Sequence, residues 1–183
     1  MRARHTATCL LLLAALAGCN SSTSTVSTTA QTSGAAAPAA SASASAKPAG
    51  IGDTIAVSGF NGEKLTVTLV KVFPDAKGAD EFTNPAAGKV FYAAQLRIAN
   101  AGSKAYSDSP DNCATLKDAS GQQFQSDLSD LTAGQSFGSV NIAPGDSVLG
   151  VVVFQVPTGD KPVKIQFTPD SGMANSTAQW NLP

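Results

Sequence analysis

Beyond residue 51 apolar residues recur at every second position, and a period of two is the mark of strands whose successive side chains point to opposite faces. Leu65, Val67 and Leu69 alternate with Thr66 and Thr68, the pattern of a half-buried strand. The apolar phase then moves to Val70 and Val72. A one-residue slip turns every later side chain to the other face, so a β-bulge or strong bend is predicted near Leu69-Val70. Val90, Tyr92, Ala94, Leu96 and Ile98 form a second long strand, with Gln95 and Arg97 pointing the other way, and Asn100-Ala101-Gly102 ends it.

The same reading predicts a hairpin: residues 114–117, a turn at Asp118-Ala119-Ser120-Gly121, and residues 122–125 with Phe124 inward. After a polar stretch around 134–138, Pro144-Gly145 supplies a turn into the most apolar strand, 147–156, which Pro157 stops. Its unbroken run from Val148 to Phe154 implies burial on both faces or a central place in its sheet. Val163, Ile165 and Phe167 alternate in a further strand, and residues 179–182 close the sheet. No window shows sustained helical spacing bounded by caps. About seven or more short strands with turns between them predict an all-β chain, an antiparallel β-sandwich rather than a barrel or a parallel α/β sheet.

The N-terminus gives an address. Arg2 and Arg4 precede a short apolar run at residues 10–16, which ends in Leu16-Ala17-Gly18-Cys19. The run is far shorter than the ~20 apolar residues needed to span a bilayer. The segment resembles the bacterial lipobox, in which small residues allow a transferase to attach a diacylglycerol to the thiol and a peptidase to cut before it. The resemblance implies a lipoprotein signal peptide at 1–18, cleavage between Gly18 and Cys19, and lipidation at Cys19 by acyl chains such as palmitate. It also implies residence at the outer face of a bacterial cell membrane, with the membrane as a partner through covalent lipid. The alternative is an ordinary secretory peptide cut at another small residue.

Residues 19–50 are then a Ser/Thr/Ala-rich linker with Val26 as its only large aliphatic residue. Such a segment buries too little apolar surface to offset its ordering entropy, and reads as a disordered tether with a coil span of ~30 Å. The Ala-Ser alternation at 40–46 also admits a weak helix, but Pro38 and Pro48 flank it. Residues 51–183 read as one folded domain.

Three stretches carry a second resemblance. They are Ala87-Gly88-Lys89-Val90-Phe91-Tyr92-Ala93-Ala94 with Leu96-Arg97-Ile98-Ala99-Asn100-Ala101-Gly102-Ser103 behind it; Leu116-Lys117-Asp118-Ala119-Ser120-Gly121-Gln122-Gln123-Phe124; and Ile142-Ala143-Pro144-Gly145-Asp146-Ser147-Val148-Leu149-Gly150-Val151-Val152-Val153-Phe154-Gln155-Val156-Pro157. In order and spacing they are similar to the telokin-like, immunoglobulin-type domain of unknown function found in exported proteins and lipoproteins of Gram-positive bacteria. That resemblance implies an immunoglobulin-like sandwich with an extracytoplasmic role, and it brings no catalytic residues with it.

Residue types narrow the chemistry further. His5 is the single histidine and Cys9 one of three cysteines, and both leave with the signal. The mature chain then lacks a Ser-His-Asp or Cys-His pair and the commonest metal ligand. Cys113 has no disulfide partner and is expected as a small buried hydrophobe, with Lys117 the only cation nearby in sequence. An enzyme would have to use carboxylates, Lys or Tyr, yet Glu63 beside the Asn61-Gly62 turn and Glu81 in a loop read as solvated surface groups. Two acidic loops, Asp75 with Asp80 and Glu81, and Asp108 with Asp111 and Asn112, lack the spacing of a calcium loop and read as turn chemistry. Trp180 and Tyr106 belong either to the core or to a sugar- or peptide-binding face.

Of 12 Lys and Arg, Arg2 and Arg4 leave with the signal and Lys47 lies in the linker, so nine face all 13 Asp and Glu in the domain. With no basic cluster, a nucleic-acid partner is not expected. The expectation is therefore a surface-tethered, non-enzymatic binding module for an extracellular protein or cell-wall partner, without cofactor, catalytic or metal residues. Its rivals are a structural envelope lipoprotein without a specific ligand and a carboxylate-dependent cell-wall hydrolase.

Overall fold

In the computed structural model, which describes residues 48–183, the alternating segments become ten antiparallel strands and no α-helix forms among the described residues. The signal segment 1–18, Cys19 and all but the last three residues of the 19–50 linker lie outside the described residues. The strands are β1 (Thr54–Ser58), β2 (Lys64–Ala76), β3 (Lys89–Asn100), β4 (Tyr106–Asp108), β5 (Ala114–Asp118), β6 (Gln123–Asp127), β7 (Val140–Ile142), β8 (Ser147–Pro157), β9 (Pro162–Phe167) and β10 (Ala178–Asn181).

Eight of them run in the order β1-β2-β3-β8-β6-β5-β9-β10, and β4 pairs with β7 in a separate small sheet. The eight-stranded order folds over at β6. Gln123, Phe124 and Gln125 pair with β5, whereas Ser126 and Asp127 pair with β8, so one strand serves both layers. The far ends of the order, β1 and β10, lie against each other. The result is the expected β-sandwich.

The core fills the space between the layers. Leu65, Val67 and Leu69 of β2, Leu96 and Ile98 of β3, and Val152, Phe154 and Val156 of β8 meet Leu116 of β5, Ile165 and Phe167 of β9, and Trp180 of β10. The bulge expected near Leu69-Val70 is present, since Leu69 pairs with Leu96 but Lys71 with Gln95. The hairpin of β5 and β6 turns at 118–121 as read from the sequence, with Phe124 buried.

The strand β8 is central, flanked by β3 and β6, and its two-sided burial has a specific cause. Phe91, Ala93, Val151 and Val153 form a second apolar cluster on the outer face, covered by Leu131. The connection between β6 and β7, expected only as a polar stretch, crosses that face and is held by bridges from Leu131 to Gly78 and from Ser136 to Val151. Gly150 lets the Phe137 ring lie against β8, because a Cβ there would stand 2.7 Å from the ring. At the far end of β3, buried Asn100 donates to the carbonyls of Lys104 (2.7 Å) and Ile142 (2.8 Å), joining the large sheet to the small one.

Candidate functional site

One end of the sandwich carries a polar cluster centred on Asp108, the last residue of β4. A single turn of 3-10 helix, Pro110–Cys113, brings Cys113 back onto it. The Cys113 thiol donates to Asp108 Oδ2 at 2.9 Å and the Tyr106 hydroxyl donates to the same oxygen at 2.6 Å. Ser109 N and Ser171 Oγ donate to Oδ1, and Ser171 N to Oδ2. Burial pushes the Asp108 carboxyl up, but the hydrogen bonds from Cys113, Tyr106, Ser171 and Ser109 together outweigh it and hold the group at about 2. Burial, followed by the Asp108 carboxylate, raises both the Cys113 thiol and the Tyr106 hydroxyl. Both therefore stay protonated donors, and the cluster holds no activated nucleophile.

Its effect is to fix the turn between β9 and β10. Asp170 and Ser171 both take left-handed backbone conformations, with φ of 57° and 54°, which non-glycine residues hold only when their surroundings enforce it. Asp108 supplies that enforcement through Ser171. The Asp170 carboxylate in turn accepts from Phe60 N in the β1–β2 turn, and Lys104 Nζ donates to Asn61 O at 2.7 Å. The exposed side chains of Phe60 and Met173 thus stand on fixed loops at this end.

Trp180 and Tyr106 are both core residues, at 0% and 1% exposure. Trp180 Nε1 donates to Asp53 O at 2.9 Å, so neither aromatic belongs to a binding face. Glu63 corrects the expectation of a solvated group: it is buried, and its carboxylate accepts from Asn61 N at 2.9 Å because it closes the β1–β2 turn from inside. Glu81 is exposed, as expected. Asp80 binds Thr83 Oγ1, Thr83 N and Phe82 N, which lowers its carboxyl below the usual range, Thr83 hydroxyl foremost. Asp111 is buried with Gly138 N on its carboxylate at 3.1 Å, and burial raises it. Asn112 is exposed. Among the described residues no group of three or more His, Cys, Asp or Glu is placed to hold a metal. Cys19 lies outside the described residues.

The opposite end of the sandwich holds a cleft of about 330 Å³ that the sequence does not disclose. Val72 and Pro74 of β2, Val90 and Tyr92 of β3, and Val156 and Pro162 from either side of the β8–β9 turn line it. Asp75, Asp160 and Lys161 bring charge to it. Tyr92 is only 6% exposed, and burial pushes its hydroxyl up to about 12, so at neutral pH it is a hydrogen-bond donor.

No curated protein matches the chain. Among solved structures, the yjhA protein of Bacillus subtilis is similar at 15% identity, over 74% of this chain and 99% of that one, with a TM-score of 0.52. The secreted protein MPT63 of Mycobacterium tuberculosis is similar at 18% identity, over 75% and 99%, with a TM-score of 0.50. The ycdA protein of Bacillus subtilis is similar at 16% identity with a TM-score of 0.48; the match covers 74% of this chain and 37% of that longer one. The fold is thus shared with proteins of low sequence identity. The family described as Domain of unknown function (DUF4352) matches residues 50–178, and the chain belongs to that family.

Proposed function

We propose that the chain is a lipoprotein, cleaved between Gly18 and Cys19 and acylated at Cys19, that presents its telokin-like, immunoglobulin-type sandwich outside the membrane as a non-enzymatic binding module. The observation that carries the binding reading is the cleft lined by Val72, Pro74, Val90, Tyr92, Val156 and Pro162, since a concave, mostly apolar site with a few polar groups is the kind of place where small ligands bind. The address is supported by Leu16-Ala17-Gly18-Cys19 itself, and the similar M. tuberculosis protein is a secreted one. The non-enzymatic reading is supported by the loss of His5 with the signal and by the protonated state of Cys113 and Tyr106.

Two measurements test it. Wild-type chain in its bacterial host should take up labelled fatty acid and stay with the membrane, and Cys19→Ala should take up none and either leave the membrane or persist uncleaved. Crosslinking on intact cells should then capture an extracellular protein or cell-wall partner through residues 51–183. Equal labelling of wild type and Cys19→Ala would overturn the anchor.

The hydrolase reading has one observation in its favour, that Asp75 and Asp160 line the same cleft. Purified chain should release no soluble fragments from cell-wall polymer. Release that disappears in Asp160→Asn would replace the binding module with an enzyme.

A further inference from the structure

The chain's other two deeply buried aromatic groups with polar atoms are satisfied inside the protein: Tyr106 donates to Asp108 and Trp180 to the Asp53 carbonyl. Tyr92 differs. It is 6% exposed, against 1% for Tyr106 and 0% for Trp180, its hydroxyl bonds to no described residue, and no side-chain oxygen or nitrogen among the described residues is both unbonded and sealed from solvent. The Tyr92 hydroxyl is therefore within reach of solvent, and Tyr92 is one of the residues that line the cleft.

A second observation lies on the cleft wall. Asp75 holds φ at 55°, a left-handed conformation rare for a residue with a Cβ, within the irregular stretch between Phe73 and Ala76 where β2 loses register with β3. Strained backbone of this kind persists where the surroundings enforce it, and it concentrates at ligand sites. The volume of about 330 Å³ is at the small end of the range for ligand pockets. Two carboxylates, Asp75 and Asp160, face a single ammonium, Lys161, around the opening. Asp160 is held in place by Lys161 N at 2.7 Å. This balance disfavours an anion.

We propose that the cleft between β2, β3 and the β8–β9 turn binds a small uncharged molecule with an apolar body and one hydrogen-bond-accepting oxygen, which receives the Tyr92 hydroxyl. Val72, Val90, Val156 and Pro162 take the apolar body, and the acidic opening turns away carboxylates. This deepens the binding-module reading and rests on it.

Three molecules of nearly equal shape separate the contributions: acetophenone has the oxygen, α-methylstyrene has a methylene in its place, and benzoate carries a charge. Each is titrated into the chain from residue 19 onward, with Cys19→Ser so that no lipid is attached, while the methyl resonances of Val72, Val90 and Val156 are followed by NMR. Acetophenone should shift these methyls with a saturable response and benzoate should not. Tyr92→Phe should weaken acetophenone by about three- to tenfold, the worth of one hydrogen bond, and leave α-methylstyrene unchanged. Thermal unfolding of Tyr92→Phe close to wild type shows that the variant is folded, and Asp75→Asn, which leaves the hydroxyl in place, should admit benzoate. The inference falls if acetophenone leaves the three methyls unmoved, if Tyr92→Phe binds it as tightly as wild type, or if benzoate binds wild type as well as acetophenone does. Failure of these titrations with crosslinked partners still captured on cells would remove this ligand class alone. Failure of both would remove the binding module.

Discussion

Phe154 gives the sharpest test of the packing. It lies in the middle of β8, pairs with Tyr92 on one side and Ser126 on the other, and is 0% exposed. Truncation to Ala removes a buried ring and leaves a cavity, a change that costs ~3 to 5 kcal/mol. A folded unit of about 135 residues unfolds with an entropy of roughly 0.28 kcal/mol per degree at its midpoint, so the midpoint should fall by ~10 to 18 °C. Phe82 provides the control, because the same truncation at a side chain that is 83% exposed removes no core contact. Its shift should stay within ~0.5 kcal/mol, about 2 °C. The single tryptophan, Trp180, is fully buried in the same core, so its fluorescence reports loss of packing directly, with far-ultraviolet circular dichroism reporting the strands. Shifts of similar size for Phe154→Ala and Phe82→Ala would refute the placement of β8 at the centre.

The Asp108 cluster predicts a pH dependence. Its carboxyl sits at about 2 in the folded chain against about 3.9 for an unstructured Asp, so its contribution is present above pH 4 and lost as the pH falls through 2. The midpoint difference between wild type and Asp108→Asn should be large at pH 5 and shrink towards pH 2; a constant offset would contradict the assignment. Asp111 has the opposite sign, since burial raises it: its favourable contribution is present below the unfolded value and lost as pH rises through the folded one. Asp111→Asn, which keeps an oxygen for Gly138 N, should raise the midpoint at pH 7 and do little at pH 3, and a lower midpoint at pH 7 would count against it. Gly150→Val should cost ~1 to 3 kcal/mol by displacing the Phe137 ring, and should speed exchange of the Val151 amide, which donates to Gln135 O; unchanged exchange would show that this connection does not hold the face.

Strands with three or more alternating apolar residues were legible from the sequence, and so was the bulge after Leu69, because a phase change is itself a sequence signal. The strands β4 and β7 were not, since each is three residues long and contributes one buried apolar side chain, Tyr106 and Ile142, which pair with each other. The Asp108 cluster was half visible as an acidic loop beside a cysteine, but the turn that folds Cys113 back onto Asp108, and the arrival of Ser171 from a distant part of the chain, belong to the topology. The cleft was invisible for the same reason. Tyr92 shares its phase with Val90 and Ala94 and reads as an ordinary inward position; only the assembled sandwich leaves the space beside it unfilled.

The folding-over at β6 has a consequence for how many copies of this chain can share one surface. An open sheet edge offers unpaired N–H and C=O groups to any neighbouring strand, and the hazard grows with local concentration. Here the two edge strands of the large sheet, β1 and β10, lie against each other, and the strand that changes layers gives its first three residues to β5 and its last two to β8. Each edge strand thus has the other layer's edge strand beside it, which leaves less room for a strand of a neighbouring copy to pair there when copies are crowded side by side.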